Sequence, residues 1–173
     1  MSFARTVKTV NNWLERVGLG ILIKDVKVKI EKPGKVSGYY DYTVCLDIED
    51  AGRGHSLLAI PTQSYLYLHE LGHHFQEKIL NKKERKALRP IFGNLDSEYE
   101  RNFDLDDDSP IQSFASWYAM VHPMDDFSET FALYLYLGMR TKSRGAWRKH
   151  NGKDRIFCKK LDVMESLIRT HRK

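Results

Sequence analysis

The sequence predicts an α+β domain: a small, mostly antiparallel sheet packed on one central helix, with further helices towards the C-terminus. Three observations predict it. Hydrophobic residues make up 42% and aromatics 12% of the 173 residues, which argues for a packed core and against disorder. That length suits one domain, residues 1–173. Short alternating or apolar segments crowd into residues 25–60, whereas apolar residues at three- and four-residue spacing dominate residues 62–173. Residues 1–61 therefore read as a helix and a small sheet, 62–139 as the central helices and 140–173 as a basic C-terminal helix.

In chain order, Phe3, Val7, Val10, Leu14 and Val17 mark an amphipathic helix over residues 2–17, with Gly18 or Gly20 to end it. Val26, Val28 and Ile30 alternate with Lys27 and Lys29 in a half-buried strand over residues 25–31. The Lys32-Pro33-Gly34-Lys35 run begins a turn, extended by Ser37-Gly38. A second strand is expected over residues 39–48, and a third, stopped by Pro61, over 55–60. Thr62 is placed to cap the central helix, whose Leu68, Leu71, Phe75 and Ile79 form the core stripe, ending near Asn81. A more exposed helix follows over residues 82–92, then an acidic irregular stretch over 93–110. A helix is expected from Ile111 to Met120. Another starts at Pro123 with Phe127, Phe131, Leu135 and Gly138 in phase. Residues 155–171 close the chain as an amphipathic helix with Ile156, Leu161, Met164, Leu167 and Ile168 apolar.

The chemistry centres on His69-Glu70-Leu71-Gly72-His73-His74. It fits His-Glu-x-x-His on a helix, the signature of a zinc hydrolase. Four residues apart, His69 and His73 stack on one helical face and can both reach one tetrahedral Zn²⁺. Glu70 is rotated about 100° from His69 and can take a proton from an attacking water. The bland alternative is a surface helix that carries histidines by chance. His74 points away from His73 and reads as a non-ligand.

Composition excludes other classes. The apolar run 19–23 is too short for a secretory signal, and no stretch approaches a membrane span, so no membrane partner is expected. Cys45 and Cys158 lie far apart without a Cys-x-x-Cys pattern and read as reduced thiols, pointing to a cytoplasmic protein. The net charge of +5 hides an asymmetry: residues 94–129 carry ten acids against Arg101, and residues 140–173 carry twelve Lys and Arg against three acids. Mutual attraction or solvation of these regions is the plain reading. The sharper one is a basic tail that engages nucleic acid or an acidic partner. Asp104, Asp106 and Asp108 have the odd-position spacing of a calcium loop, but Ser109-Pro110 replaces its glycine turn and Ala115 its closing glutamate.

A catalytic zinc needs a third protein ligand. The extended motif with a third histidine would need Gly at 76 and His at 79, where this chain has Gln76 and Ile79. A downstream carboxylate is the better source. His122, before Pro123, reads as a structural turn histidine, and His55 as a residue of an edge strand.

Tyr118-Ala119-Met120-Val121-His122-Pro123-Met124-Asp125-Asp126-Phe127-Ser128-Glu129-Thr130-Phe131-Ala132 resembles the second-helix segment of the putative zinc-binding metallopeptidases. It is also similar to the corresponding motif of gluzincins. With the helix from Tyr65 to Phe75, the resemblance covers about residues 65–137. It implies a zincin-like fold with residues 62–139 as the catalytic helices, a Zn²⁺ cofactor held by His69 and His73, and Glu70 as general base. Asp125 falls where the family has its glutamate ligand, and Glu129 where it has the acid that orients a ligand histidine. Tyr118 matches a tyrosine that hydrogen-bonds the oxyanion, although a core role suits it too. Aspartate is about 1.5 Å shorter than glutamate. Either the helix sits closer to the metal, or Glu129 is the ligand, with Asp126 a more distant alternative.

The expectation is a zinc metallopeptidase that hydrolyses peptide bonds in a peptide or protein substrate. The strand over residues 55–60 is a candidate edge for an extended peptide. The rival is a zinc-containing binding or regulatory module with little turnover, acting through its basic C-terminal segment. An intact Glu70 favours the enzyme, because a purely structural zinc site needs no base.

Overall fold

The computed structural model describes residues 3–31, 38–40, 44–47, 62–98, 113–116, 118–140 and 155–173. Helix α1 (Phe3–Arg16) buries Phe3, Val10 and Leu14, the stripe its periodicity predicts, and Thr6 beside it. A 3₁₀ turn (Gly20–Ile23) follows, with Leu22 fully buried. Strands β1 (Val28–Glu31), β2 (Gly38–Tyr40) and β3 (Val44–Asp47) form a sheet of order β1-β3-β2. Val28 pairs with Val44 in the parallel ladder, and Tyr39 with Cys45 in the antiparallel one.

This overturns the expected α+β fold with a mostly antiparallel sheet. Helix dominates the described residues, and the three strands are only three or four residues long. One of the two pairings is parallel. Strands this short cannot supply a core face of their own, so the buried cluster is built mainly from helical side chains. The single strand expected over 39–48 is instead β2 and β3, paired antiparallel. The expected strand over 55–60, with His55, lies outside the described residues, as does the Asp104–Asp108 run.

The central helix α2 (Thr62–His74) begins at the residue expected to cap it and continues as a π-helical turn (Phe75–Ile79). Of its expected core stripe, Leu68, Leu71 and Phe75 are fully buried, whereas Ile79 is only partly buried and Leu80 beside it is buried. Tyr67 is also buried and donates its hydroxyl to Asn11 at 2.8 Å, which ties α2 to α1. Helix α3 (Lys82–Phe92) opens with a reciprocal capping box between Asn81 and Glu84. The helix expected over 111–120 is not formed in its described part. Ser113–Ser116 turns, and Tyr118–Met120 makes a single 3₁₀ turn that leads into α4 (Pro123–Arg140).

Helix α4 makes its most extensive contact with α2. Phe127 and Phe131 pack on Phe75, with ring centroids 6.2 and 5.4 Å away. Helix α5 (Arg155–His171) buries Phe157, Leu161, Met164 and Ile168. Ile156, expected on that face, is 56% exposed, and Phe157 takes the core position instead. Cys158 is a free thiol. No helix of the described residues is long and apolar enough to cross a membrane.

Candidate metal centre

The site lies where α2 and α4 face each other. Four-residue spacing on α2 brings Nε2 of His69 and Nε2 of His73 to 3.1 Å, with the two rings nearly perpendicular. Asp125, on the first turn of α4, places Oδ1 at 3.4 Å from Nε2 of His73 and 4.0 Å from Nε2 of His69. Ligand atoms about 2.0–2.1 Å from a tetrahedral zinc stand about 3.3 Å from one another. His69, His73 and Asp125 could therefore hold a metal ion, and their side chains are almost wholly buried. The donor set suits zinc: two imidazoles and one carboxylate, which leave a fourth position open.

Glu129, one turn further along α4, lies behind His69 rather than beside Asp125. Its Oε1 is 2.7 Å from Nδ1 of His69. In the neutral imidazole that a metal requires, Nδ1–H donates to that carboxylate and Nε2, which faces His73 and Asp125, is the lone-pair nitrogen. The other Glu129 oxygen accepts the Tyr65 hydroxyl at 2.8 Å. Burial raises the Tyr65 pKa well above its ordinary value, and the neighbouring Glu129 adds to the effect, so the phenol stays a donor.

Burial works against charge on His69, but the Glu129 carboxylate, with help from Glu70 and Asp125, outweighs it and holds the imidazole up at about 9. On His73 burial prevails and lowers the pKa despite Asp125. Burial also raises Glu70 to about 7, opposed by His69 and reinforced by Asp125 and Glu129. Oε2 of Glu70 is buried without a hydrogen-bond partner among the described residues. A cation among the three donors would compensate this concentration of carboxylates.

Residues 65–164, more than half of the chain, match the family model described as "Putative zinc-binding metallo-peptidase". The chain belongs to this family. No curated protein and no solved structure matches the chain. The matched span contains α2 from Tyr65 onward, all of α4 and most of α5, and it excludes α1 and the sheet.

Within this metallopeptidase-family chain, the other residues singled out in the sequence are placed as follows. The Tyr118 ring lies 5.7 Å from that of His69, at the edge of the site. His74 is buried on α2 but is not in the metal-holding group. His122 caps α4: its Nδ1 accepts the Met124 amide at 3.2 Å, so Nε2–H donates to the Glu98 carbonyl at 3.1 Å. Asp126 points away from the centre to Lys160 on α5, Oδ2 to Nζ 2.7 Å. Burial raises Asp126 to about 7 against the pull of Lys160. Lys160 also donates to the Ser113 carbonyl at 2.8 Å and lies 3.8 Å from the centre of the Phe114 ring. This pair joins the acidic 94–129 stretch to the basic 140–173 stretch.

Sequence reasoning assigned no role to Tyr65, Gly72 or Gln76. Tyr65 is one helical turn before His69, which is the only sequence signal for it. Gly72 is a glycine in mid-helix and signals a close approach. Gln76 is buried and donates to Ser128 Oγ at 2.8 Å and to the Met124 carbonyl at 2.9 Å.

Proposed function

We propose that the chain is a zinc-dependent peptidase, with His69, His73 and Asp125 holding the ion. The observation that carries this reading is the convergence of His69 Nε2, His73 Nε2 and Asp125 Oδ1 next to Glu70, a buried carboxylate with an unpartnered oxygen. Bound there, Zn²⁺ supplies a Lewis acid that brings the pKa of water towards ~7 and polarises a carbonyl.

The protein groups do the rest. Glu70 accepts the proton of the attacking water, so that the water oxygen can bond to the peptide carbonyl carbon. When the carbon–nitrogen bond breaks, Glu70 returns that proton to the leaving amine. Glu70 suits this double duty by position: it is buried on α2 between the two histidines in sequence, and one of its oxygens has no hydrogen-bond partner among the described residues. Tyr118, beside His69, donates its hydroxyl to the oxygen that gains charge. Glu129 keeps His69 in the tautomer whose Nε2 faces the site.

The test is metal analysis together with cleavage of peptide libraries and unfolded proteins by wild type and Glu70→Gln. The expected result is zinc in both proteins and cleavage by wild type alone. Zinc-loaded wild type that cleaves no peptide or protein would contradict the reading.

A further inference from the structure

We propose that Gly72, together with Gln76, sets the α2–α4 spacing that lets an aspartate serve as the third ligand, an inference that rests on the metal centre proposed above. The two helices run in opposite directions and touch along two adjacent rows. One row is the site: His69 beside Glu129, His73 beside Asp125. The other is Gly72 against Ser128, with Gln76 reaching Ser128 and Met124.

A Cβ on Gly72 would stand 2.8 Å from Ser128 Cα and 3.0 Å from its Cβ and Oγ, whereas ordinary contact begins at 3.4 Å. The closest of these atoms is backbone, so no side-chain rotation relieves the clash. Relief therefore needs the α2 and α4 backbones to move apart, by up to about 0.6 Å if the contact is to go from 2.8 Å to the 3.4 Å of ordinary contact. Oδ1 of Asp125 is already 4.0 Å from Nε2 of His69, beyond the about 3.3 Å that separates ligand atoms on one tetrahedral zinc, so an outward shift carries it further from a shared ion. Glutamate adds one carbon–carbon bond, about 1.5 Å of reach. Gln76 acts with Gly72: its two hydrogen bonds, at 2.8 and 2.9 Å, hold the first turn of α4, which carries Asp125, against α2. Gly72 and Gln76 are positioning residues. They act through Asp125 and touch no metal.

The experiment is titration of the purified chain with Co²⁺, followed by its ligand-field absorption, with circular dichroism to confirm folding. The proteins are wild type, Gly72→Ala, Asp125→Glu and Gly72→Ala/Asp125→Glu. Helix propensity alone favours alanine over glycine at a mid-helix position, so a loss in Gly72→Ala reports the contact. The expected result is affinity weakened by about tenfold or more in Gly72→Ala and recovered in the double variant.

If Gly72→Ala binds as wild type does, or if Asp125→Glu fails to restore it, the spacing inference is overturned while the metal centre stands. If wild type itself binds no Co²⁺ or Zn²⁺, both are overturned. Should Gly72→Ala not fold, Gln76→Met with and without Asp125→Glu decides the question. Weakening with rescue sustains the inference, and affinity equal to wild type overturns it.

Discussion

Oε1 of Glu129 lies 2.7 Å from Nδ1 of His69, and its second oxygen holds the hydroxyl of Tyr65. The chain Tyr65–Glu129–His69 thus orients one metal-facing nitrogen from two residues away. Glu129→Gln is expected to weaken zinc about 10–100-fold. Tyr65→Phe is expected to weaken it less, and the double variant by less than the product of the two, because both act through one carboxylate. Competition against a chromophoric chelator measures all three. Strictly multiplicative effects would show that Tyr65 does not act through Glu129.

Glu70 is not among the three residues that could hold a metal ion, so its loss should separate binding from turnover. Glu70→Gln is expected to keep its zinc and lose about 10²–10⁴-fold in kcat. Tyr118→Phe is expected to lose about 10²–10³-fold in kcat with KM little changed. Steady-state kinetics on a cleaved peptide, paired with metal analysis, checks both. Loss of zinc in Glu70→Gln would move that residue from proton transfer to site assembly.

Lys160 and Asp126 are both nearly fully buried, and their ion pair joins α5 to α4. Lys160→Met leaves a buried carboxylate without its cation and is expected to cost about 3–5 kcal/mol. Lys160→Met/Asp126→Asn is expected to recover a large part of that loss. Chemical denaturation of wild type, Lys160→Met, Asp126→Asn and the double variant gives the coupling directly. Equal stability of wild type and Lys160→Met would remove the pair from the account of the fold.

The site was more legible in the sequence than the sheet, for physical reasons. His69, Glu70 and His73 lie within five residues of one helix, and helical geometry alone sets their relation. Apolar periodicity marked Phe3, Val10 and Leu14 on α1 and Leu68, Leu71 and Phe75 on α2. Strand pairing is long-range, and segments as short as Gly38–Tyr40 and Val44–Asp47 carry too little pattern to reveal a reversal between them. Asp125 and Glu129 were both visible as acids one turn apart. Which one faces the histidines depends on where α4 meets α2, and that contact, at Gly72 and Ser128, spans 56 residues of sequence. Tyr65–Glu129, 64 residues apart, was hidden for the same reason. Ile156 and Phe157 show the reverse limit: both are apolar neighbours, and only packing decides which is buried.

The central claim is that Asp125 completes a zinc centre with His69 and His73. Equilibrium dialysis against buffered zinc, with metal content read by mass spectrometry, tests it most directly on wild type, Asp125→Ala and Glu129→Gln. One zinc per wild-type chain is expected, with affinity about 100-fold or more weaker in Asp125→Ala and a smaller loss in Glu129→Gln. Wild type that takes up no zinc, or an Asp125→Ala protein that binds as tightly as wild type, would contradict it.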